Sequence, residues 1–323
     1  MASGLIDLHR HLEGSVRFET FCELAADVGL DLPKRELRRR TCMRGEKPGF
    51  LRFLSKFELY RGLYPSRDWI DRVAFEAAED AKKDGVIYLE LRFSPAHFAR
   101  RMNAKGEDVA SWIARGARRA KIDVRFIATF GRQFTLAENG QTVRAVEGTD
   151  FFAGLDLAGD ESRPAEPFRP LFRRLRLPVT IHAGEAGGPE NVREAMERFG
   201  ARRIGHGLRI LRDRRLIETA RRNHVHFETC LTSEVQTGVA RSWDRHPARR
   251  MFEQGLSVSL NTDDPSVCGI RLSGEFRKAL KAGWAREDLR KVLLHAAGAA
   301  WVGSSERKAL ASLWVRESSG VIL

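Results

Sequence analysis

Short apolar runs of four to nine residues recur along the 323-residue chain, and turn-forming residues bound most of them. They fall at 5–9 (LIDLH), 86–93 (VIYLELRF), 122–130 (IDVRFIATF), 151–157 (FFAGLDL), 178–182 (PVTIH), 203–206 (RIGH), 225–229 (VHFET) and 256–261 (LSVSLN). Between most of them the spacing turns helical, as in 66–85, which stops at Gly85, and 188–200, where Pro189 suits a first helical turn and Gly200 a helix end. Strand-then-helix order implies a parallel sheet, and eight such units predict an α/β fold of the (β/α)8 or TIM-barrel type. The long interval from residue 12 to residue 85 must hold extra helices between strands 1 and 2. No linker, low-complexity tract or internal repeat divides the chain, so one domain spanning 1–323 is expected.

Alternate residues of a strand point to opposite faces, which sorts the polar positions. In 256–264, Leu256, Val258 and Leu260 suit the helix-packed outside, while Ser257, Ser259, Asn261 and Asp263 share the inside. Asp264, of opposite parity and just past the strand, can reach into the space above the barrel. In the first strand Ile6 and Leu8 take the outer parity and Asp7, His9 and His11 the inner one; in the fifth, Thr180 and His182 point inward. His9 and His11 form a His-x-His pair with imidazoles side by side, a spacing suited to chelation.

Three histidines and an aspartate therefore converge on the carboxyl ends of the strands, where a barrel carries its chemistry. A single inward histidine is more often a hydrogen-bonded core residue; separate strand ends would each need the right residue by accident. Imidazole with carboxylate favours Zn²⁺, and Fe²⁺, Co²⁺ or Mn²⁺ accept the same ligands. Glu185, three residues after His182, is placed to donate a proton, and His206 at the next strand end can orient a metal-activated water. The adjacent Asp263 and Asp264 then have separate duties: the first faces a cation, the second a ligand that donates a hydrogen bond. His224 and His226 open their strand rather than close it and are expected to be structural, and no role is expected for His97, His246 or His295.

Composition narrows the class. With 42% hydrophobic and 31% charged residues and a mean hydropathy of −0.37, the chain can bury a large core. No apolar run is long enough to span a bilayer and the start lacks a secretory signal pattern, so a cytoplasmic protein without membrane association is expected. Four scattered cysteines make neither a disulfide framework nor a Cys-x-x-Cys metal site. The net charge of +13 raises nucleic-acid binding as a rival function, but the basic residues come in short pieces (35–40, 173–176, 212–215, 249–250) with no aromatic-interleaved stripe, so a solvated arginine-rich surface is expected. Oligomeric state is left open by the sequence.

The segments DLHRHLEGS (7–15), YLELRFSP (88–95), GLDLAGDE (154–161), VTIHAGEAGGPE (179–190), RIGHG (203–207), CLTSEVQT (230–237) and SLNTDDP (259–265) resemble, in order, those of the adenosine deaminase family. The resemblance implies one zinc ion per chain, held by His9, His11, His182 and Asp263, and hydrolytic removal of the 6-amino group of a purine nucleoside such as adenosine or deoxyadenosine. It implies that His206 and Asp263 orient and deprotonate the water that attacks C6, that Glu185 protonates N1, that Asp264 bonds N7 and that the Gly159 backbone N–H reaches N3. Residues 49–60 resemble the family's hydrophobic lid: Phe50, Phe53, Leu54 and Phe57 have the one-face spacing of a helix that would exclude water. Two positions depart from the adenosine-specific pattern. Glu13 stands where aspartate usually contacts the ribose 5′-hydroxyl, and Glu234 where asparagine is usual. Relatives acting on adenine or aminodeoxyfutalosine carry glutamate at the first, so these are the alternative substrates.

Overall fold

The computed structural model describes residues 4–61, 63–99 and 102–316. All eight expected strands form: β1 (Leu5–His11), β2 (Val86–Phe93), β3 (Asp123–Gly131), β4 (Phe152–Ala158), β5 (Thr180–Ala183), β6 (Arg203–His206), β7 (His226–Thr229) and β8 (Ser257–Leu260). They pair in parallel in chain order as two four-stranded sheets, β1–β4 and β5–β8. Short parallel bridges join the sheets at both seams. Leu155 meets Val179 between β4 and β5, and Arg10 meets Asp263 between β8 and β1. At the second seam the His11 N–H donates to the Asp263 carbonyl and the Asp263 N–H to the His9 carbonyl, each at 2.8 Å. The result is an eight-stranded α/β barrel. The interval after β1 holds helices Phe18–Asp27, Lys34–Thr41, Phe50–Ser55 and Arg67–Lys83. No helix among the described residues is long and apolar enough to cross a membrane.

The alternation expected of β1 does not hold. Its register against β2 shifts between Leu5 and Ile6 and again between Asp7 and Arg10. Asp7 turns to Thr262, accepting from its hydroxyl at 2.6 Å and its backbone N–H at 3.3 Å, and takes no part in the histidine cluster. Ile6 and Leu8, expected to face outward with the rest of the helix-packed surface, form with Tyr88 and Ala296, Ala297 and Ala300 a small apolar cluster separate from the main core. An irregularity of this kind re-aims side chains, and here it delivers His9 and His11 together at the strand end.

The lower interior is ionic rather than apolar. Arg92 and Arg203 are among the largest fully buried side chains. Arg92 donates to Glu228 at 2.7 Å and lies 3.3 Å from Asp156; Arg203 meets Glu228 and Glu90, each at 2.6 Å, and its guanidinium lies 4.1 Å from the centre of the Trp301 ring. Buried charges persist only when paired and hydrogen-bonded, and here two guanidiniums are matched by three carboxylates. The basic outer surface is partly neutralised in place: Arg39 and Arg40 pair with Glu36, and Arg174 with Glu147.

Candidate active site

Four donor atoms meet at the carboxyl ends of β1, β5 and β8. One nitrogen from each of His9, His11 and His182 and one oxygen of Asp263 all lie within 4.8 Å of one another. His9 Nε2 and His11 Nε2 are 3.2 and 3.5 Å from Asp263 Oδ1, and the Nε2 atoms of His11 and His182 face each other at 3.1 Å. Tetrahedral ligands about 2.0–2.1 Å from zinc stand about 3.3 Å apart, so the spacing fits such an ion. The lone-pair directions fit as well. His9 Nδ1 lies 2.8 Å from Glu228 Oε2 and His182 Nδ1 lies 3.0 Å from Asp156 Oδ1, so each carboxylate takes the ring's N–H and leaves Nε2 bare toward the common centre. His9 Nε2 is buried without a hydrogen-bond partner. Burial lowers the pKa of His11, and of His182 to about 4, so both rings are neutral and available as ligands at neutral pH. Asp263, with a left-handed φ of 59°, also accepts from Ser233 at 2.6 Å, and its neighbouring imidazoles outweigh burial to hold it ionised.

Above the cluster opens a cavity of about 290 Å³. Its wall includes Glu13, Phe53, Leu54, Phe57, Gly159, Glu185, His206, Asp263 and Asp264, together with His11 and His182. His9 lies beneath, fully buried. Three carboxylate oxygens in this wall, Glu13 Oε2, Glu185 Oε1 and Asp264 Oδ1, are buried without a partner. Burial raises Glu185 to about 8 and Glu13 to about 7, and burial with the adjacent Asp263 charge holds Asp264 well above the usual carboxylate range. Buried carboxyls that keep their protons are hydrogen-bond donors, the complement of lone pairs on a heteroaromatic ring. His206 has a left-handed φ of 62°, and its Nε2 lies 3.6 Å from Glu185 Oε2 and 4.0 Å from Asp263 Oδ2. Burial works against its charge, but Glu185, Glu234 and Asp263 together raise its pKa. The Phe50–Ser55 helix is shorter than the 49–60 stripe implies, yet Phe53 and Phe57 still pack together beside this space, their ring centres 5.8 Å apart and tilted at 58°.

The residues expected at the site all lie there; Asp7, expected only to share the inner face of the first strand, turns away to Thr262. Several carboxylates that orient it were not picked out. Glu228, to which the sequence assigned no role, ties His9 to Arg92, Arg203 and Thr180. Glu161 accepts from the backbone N–H groups of Gly184, Glu185 and Gly187 and so fixes the loop carrying Glu185. His246, expected to have no role, has its Nε2 3.1 Å from Glu234 Oε2, and Glu234 Oε1 lies 3.1 Å from His206 Nδ1. His97 also lines the cavity.

A family profile described as adenosine deaminase matches residues 5–316. The chain belongs to the adenosine deaminase family. Among its relatives, an adenosine deaminase of Yersinia pseudotuberculosis serotype I is 37% identical over 322 residues, covering 95% of this chain and 96% of the relative. Among solved structures, an amidohydrolase from Burkhoderia ambifaria with bound Zn superposes with a TM-score of 0.88 at 28% identity, over 97% of this chain and 89% of the other. The adenine deaminase of Arthrobacter aurescens has a TM-score of 0.87 at 22% identity, over 97% of this chain and 98% of that one, a likeness of fold. Membership of the adenosine deaminase family thus accounts for the barrel, and the donor cluster on its rim is one that could hold a metal ion.

Proposed function

We propose that the chain is a hydrolytic deaminase that replaces the 6-amino group of adenosine or deoxyadenosine by oxygen, releasing ammonia. One observation carries the reading: a buried carboxyl with an unpartnered oxygen, Glu185, shares a cavity with a four-donor metal cluster and an imidazole. His9, His11, His182 and Asp263 would hold a divalent ion, zinc by donor set and by the Zn-bound structural relative. Such an ion, when bound, lowers the pKa of water toward neutrality and so supplies a nucleophile.

The residues of the chain do the rest. Glu185, protonated at neutral pH, delivers its proton to ring N1 as negative charge builds there, stabilising the transition state more than the ground state. His206 Nε2 and Asp263 orient the attacking water, and His206 receives its proton: with Glu185 protonated, the charge that most raises the His206 pKa is absent. Asp264, also protonated, donates to N7, and the Gly159 N–H faces N3. Glu13 lies at the ribose end, and Phe53, Leu54 and Phe57 keep bulk water from the ring. Adenosine ranks first because relatives of that activity match nearly the whole chain. The test is elemental analysis with a substrate panel of adenosine, deoxyadenosine, adenine and aminodeoxyfutalosine. About one metal per chain and the highest kcat/KM on a nucleoside of adenine are expected; a thousandfold preference for either of the last two compounds would overturn the assignment.

A further inference from the structure

Behind His206, away from the cavity, two buried groups stand in line. His246 is 3% exposed and Glu234 is 0% exposed. His246 precedes helix Pro247–Glu253 and caps it: its Nδ1 accepts from the backbone N–H of Ala248 at 3.2 Å. A backbone amide can only donate, so the proton of a neutral His246 ring must sit on Nε2, which lies 3.1 Å from Glu234 Oε2 in an off-axis contact. Glu234 Oε1 lies 3.1 Å from His206 Nδ1. A carboxylate, held at about 2 by its hydrogen bond to His206 and the nearby His246 imidazole against the cost of burial, has no proton to give, so His206 Nδ1 must be the donor.

We propose that His246 and Glu234 are positioning residues that fix the proton of His206 on Nδ1, leaving Nε2 as the nitrogen that exchanges a proton with the reacting groups. The arrangement runs from a backbone amide through two side chains and is the same for either charge state of His206, because Nδ1 then carries hydrogen in both the neutral and the charged ring. The left-handed φ of His206 adds a reason for such a device: a ring displayed from an uncommon backbone conformation needs a second anchor to hold its direction. Glu234 supplies it from helix Leu231–Gln236, and the flanking Ser233 bonds Asp263, so one short helix sets the aim of two neighbouring groups of the site. The proposal rests on the deaminase reading for its consequence but not for its geometry.

Two measurements test it. In protein labelled with ¹⁵N-histidine, the His206 resonances, assigned by their loss in His206→Gln, should show hydrogen on Nδ1; a bare Nδ1 with hydrogen fixed on Nε2 would overturn the proposal whatever the enzyme acts on. In kinetics, Glu234→Gln presents one amide N–H₂ to two N–H donors, so one face must clash whichever way the amide turns. We expect kcat to fall about 10- to 100-fold, with KM within about twofold and the metal content unchanged. Adding His246→Leu removes one of the two donors, and the double variant should turn over at least about threefold faster than Glu234→Gln alone, a rescue that loss of packing cannot produce. Wild-type kcat in Glu234→Gln, or a further loss in the double variant, sinks the idea. If Glu234→Gln does not fold, the resonances of the wild type decide alone; if the wild type deaminates no adenine compound, the functional reading fails and those resonances still judge the geometry.

Discussion

Glu185→Gln isolates the proton that the proposed chemistry needs. The substitution keeps the shape of a side chain that is 6% exposed, and Glu185 is not one of the four metal donors, so both fold and metal site should survive. With its pKa raised to about 8, roughly nine in ten Glu185 carboxyls carry a proton at pH 7; at the ordinary value near 4.5 roughly 0.3% would, so burial enriches the acid form about 300-fold. An amide cannot release that proton, and a positioned general acid is worth about 10²- to 10⁴-fold, which sets the expected fall in kcat. The assay follows the absorbance change as adenosine becomes inosine, with elemental analysis of the same preparation. The pH profile supplies the sign. The acid form is the active one, so kcat/KM of the wild type should fall as pH rises through the Glu185 pKa. A cation at the neighbouring donors pulls that pKa downward, placing the limb at or below about 8. Near-normal turnover by Glu185→Gln with full metal content would refute the role of Glu185, and a wild-type rate still rising at pH 9 would refute the protonation state.

Two further perturbations probe the support and the shape of the site. Glu228→Gln leaves the buried Arg92 and Arg203 short of a counter-charge, so denaturant unfolding should show a loss of about 3–5 kcal/mol, and the metal should dissociate about 10- to 100-fold more readily because His9 loses its orienting carboxylate; an unchanged midpoint would contradict the pairing. Gly14→Ala would place a Cβ 1.9 Å from Asp264 Oδ1 and 2.4 Å from its Cγ, so Asp264 must leave its position; KM for adenosine should rise at least about tenfold with metal content intact, and an unaltered KM would show that Asp264 does not touch the substrate.

Eight strands and the convergence of His9, His11, His182 and Asp263 were legible because period-2 alternation and the carboxyl-end rule are local and topological regularities. Asp7 was misplaced for the same reason: parity counting assumes an unbroken ladder, and the register shifts of β1 break it. Glu228, Asp156 and Glu161 were not legible because their importance lies in partners 23 to 219 residues away, as with Glu228 and His9, and a lone sequence carries no signal for such pairs. His246 escaped because nothing in its local sequence sets it apart; only the fold shows that it caps a helix with one nitrogen and faces Glu234 with the other.

The imidazoles of His9 and His182 take their direction from Glu228 on β7 and Asp156 on β4, side chains rooted in the barrel itself. The groups that would touch the substrate's outer parts, among them Glu13, Phe53, Leu54 and Phe57, stand on loops and a short helix that those carboxylates do not hold. Selectivity can therefore drift by remodelling the rim while the buried centre stays put, so a change at a rim residue such as Glu13 need not alter the chemistry to alter the choice of substrate.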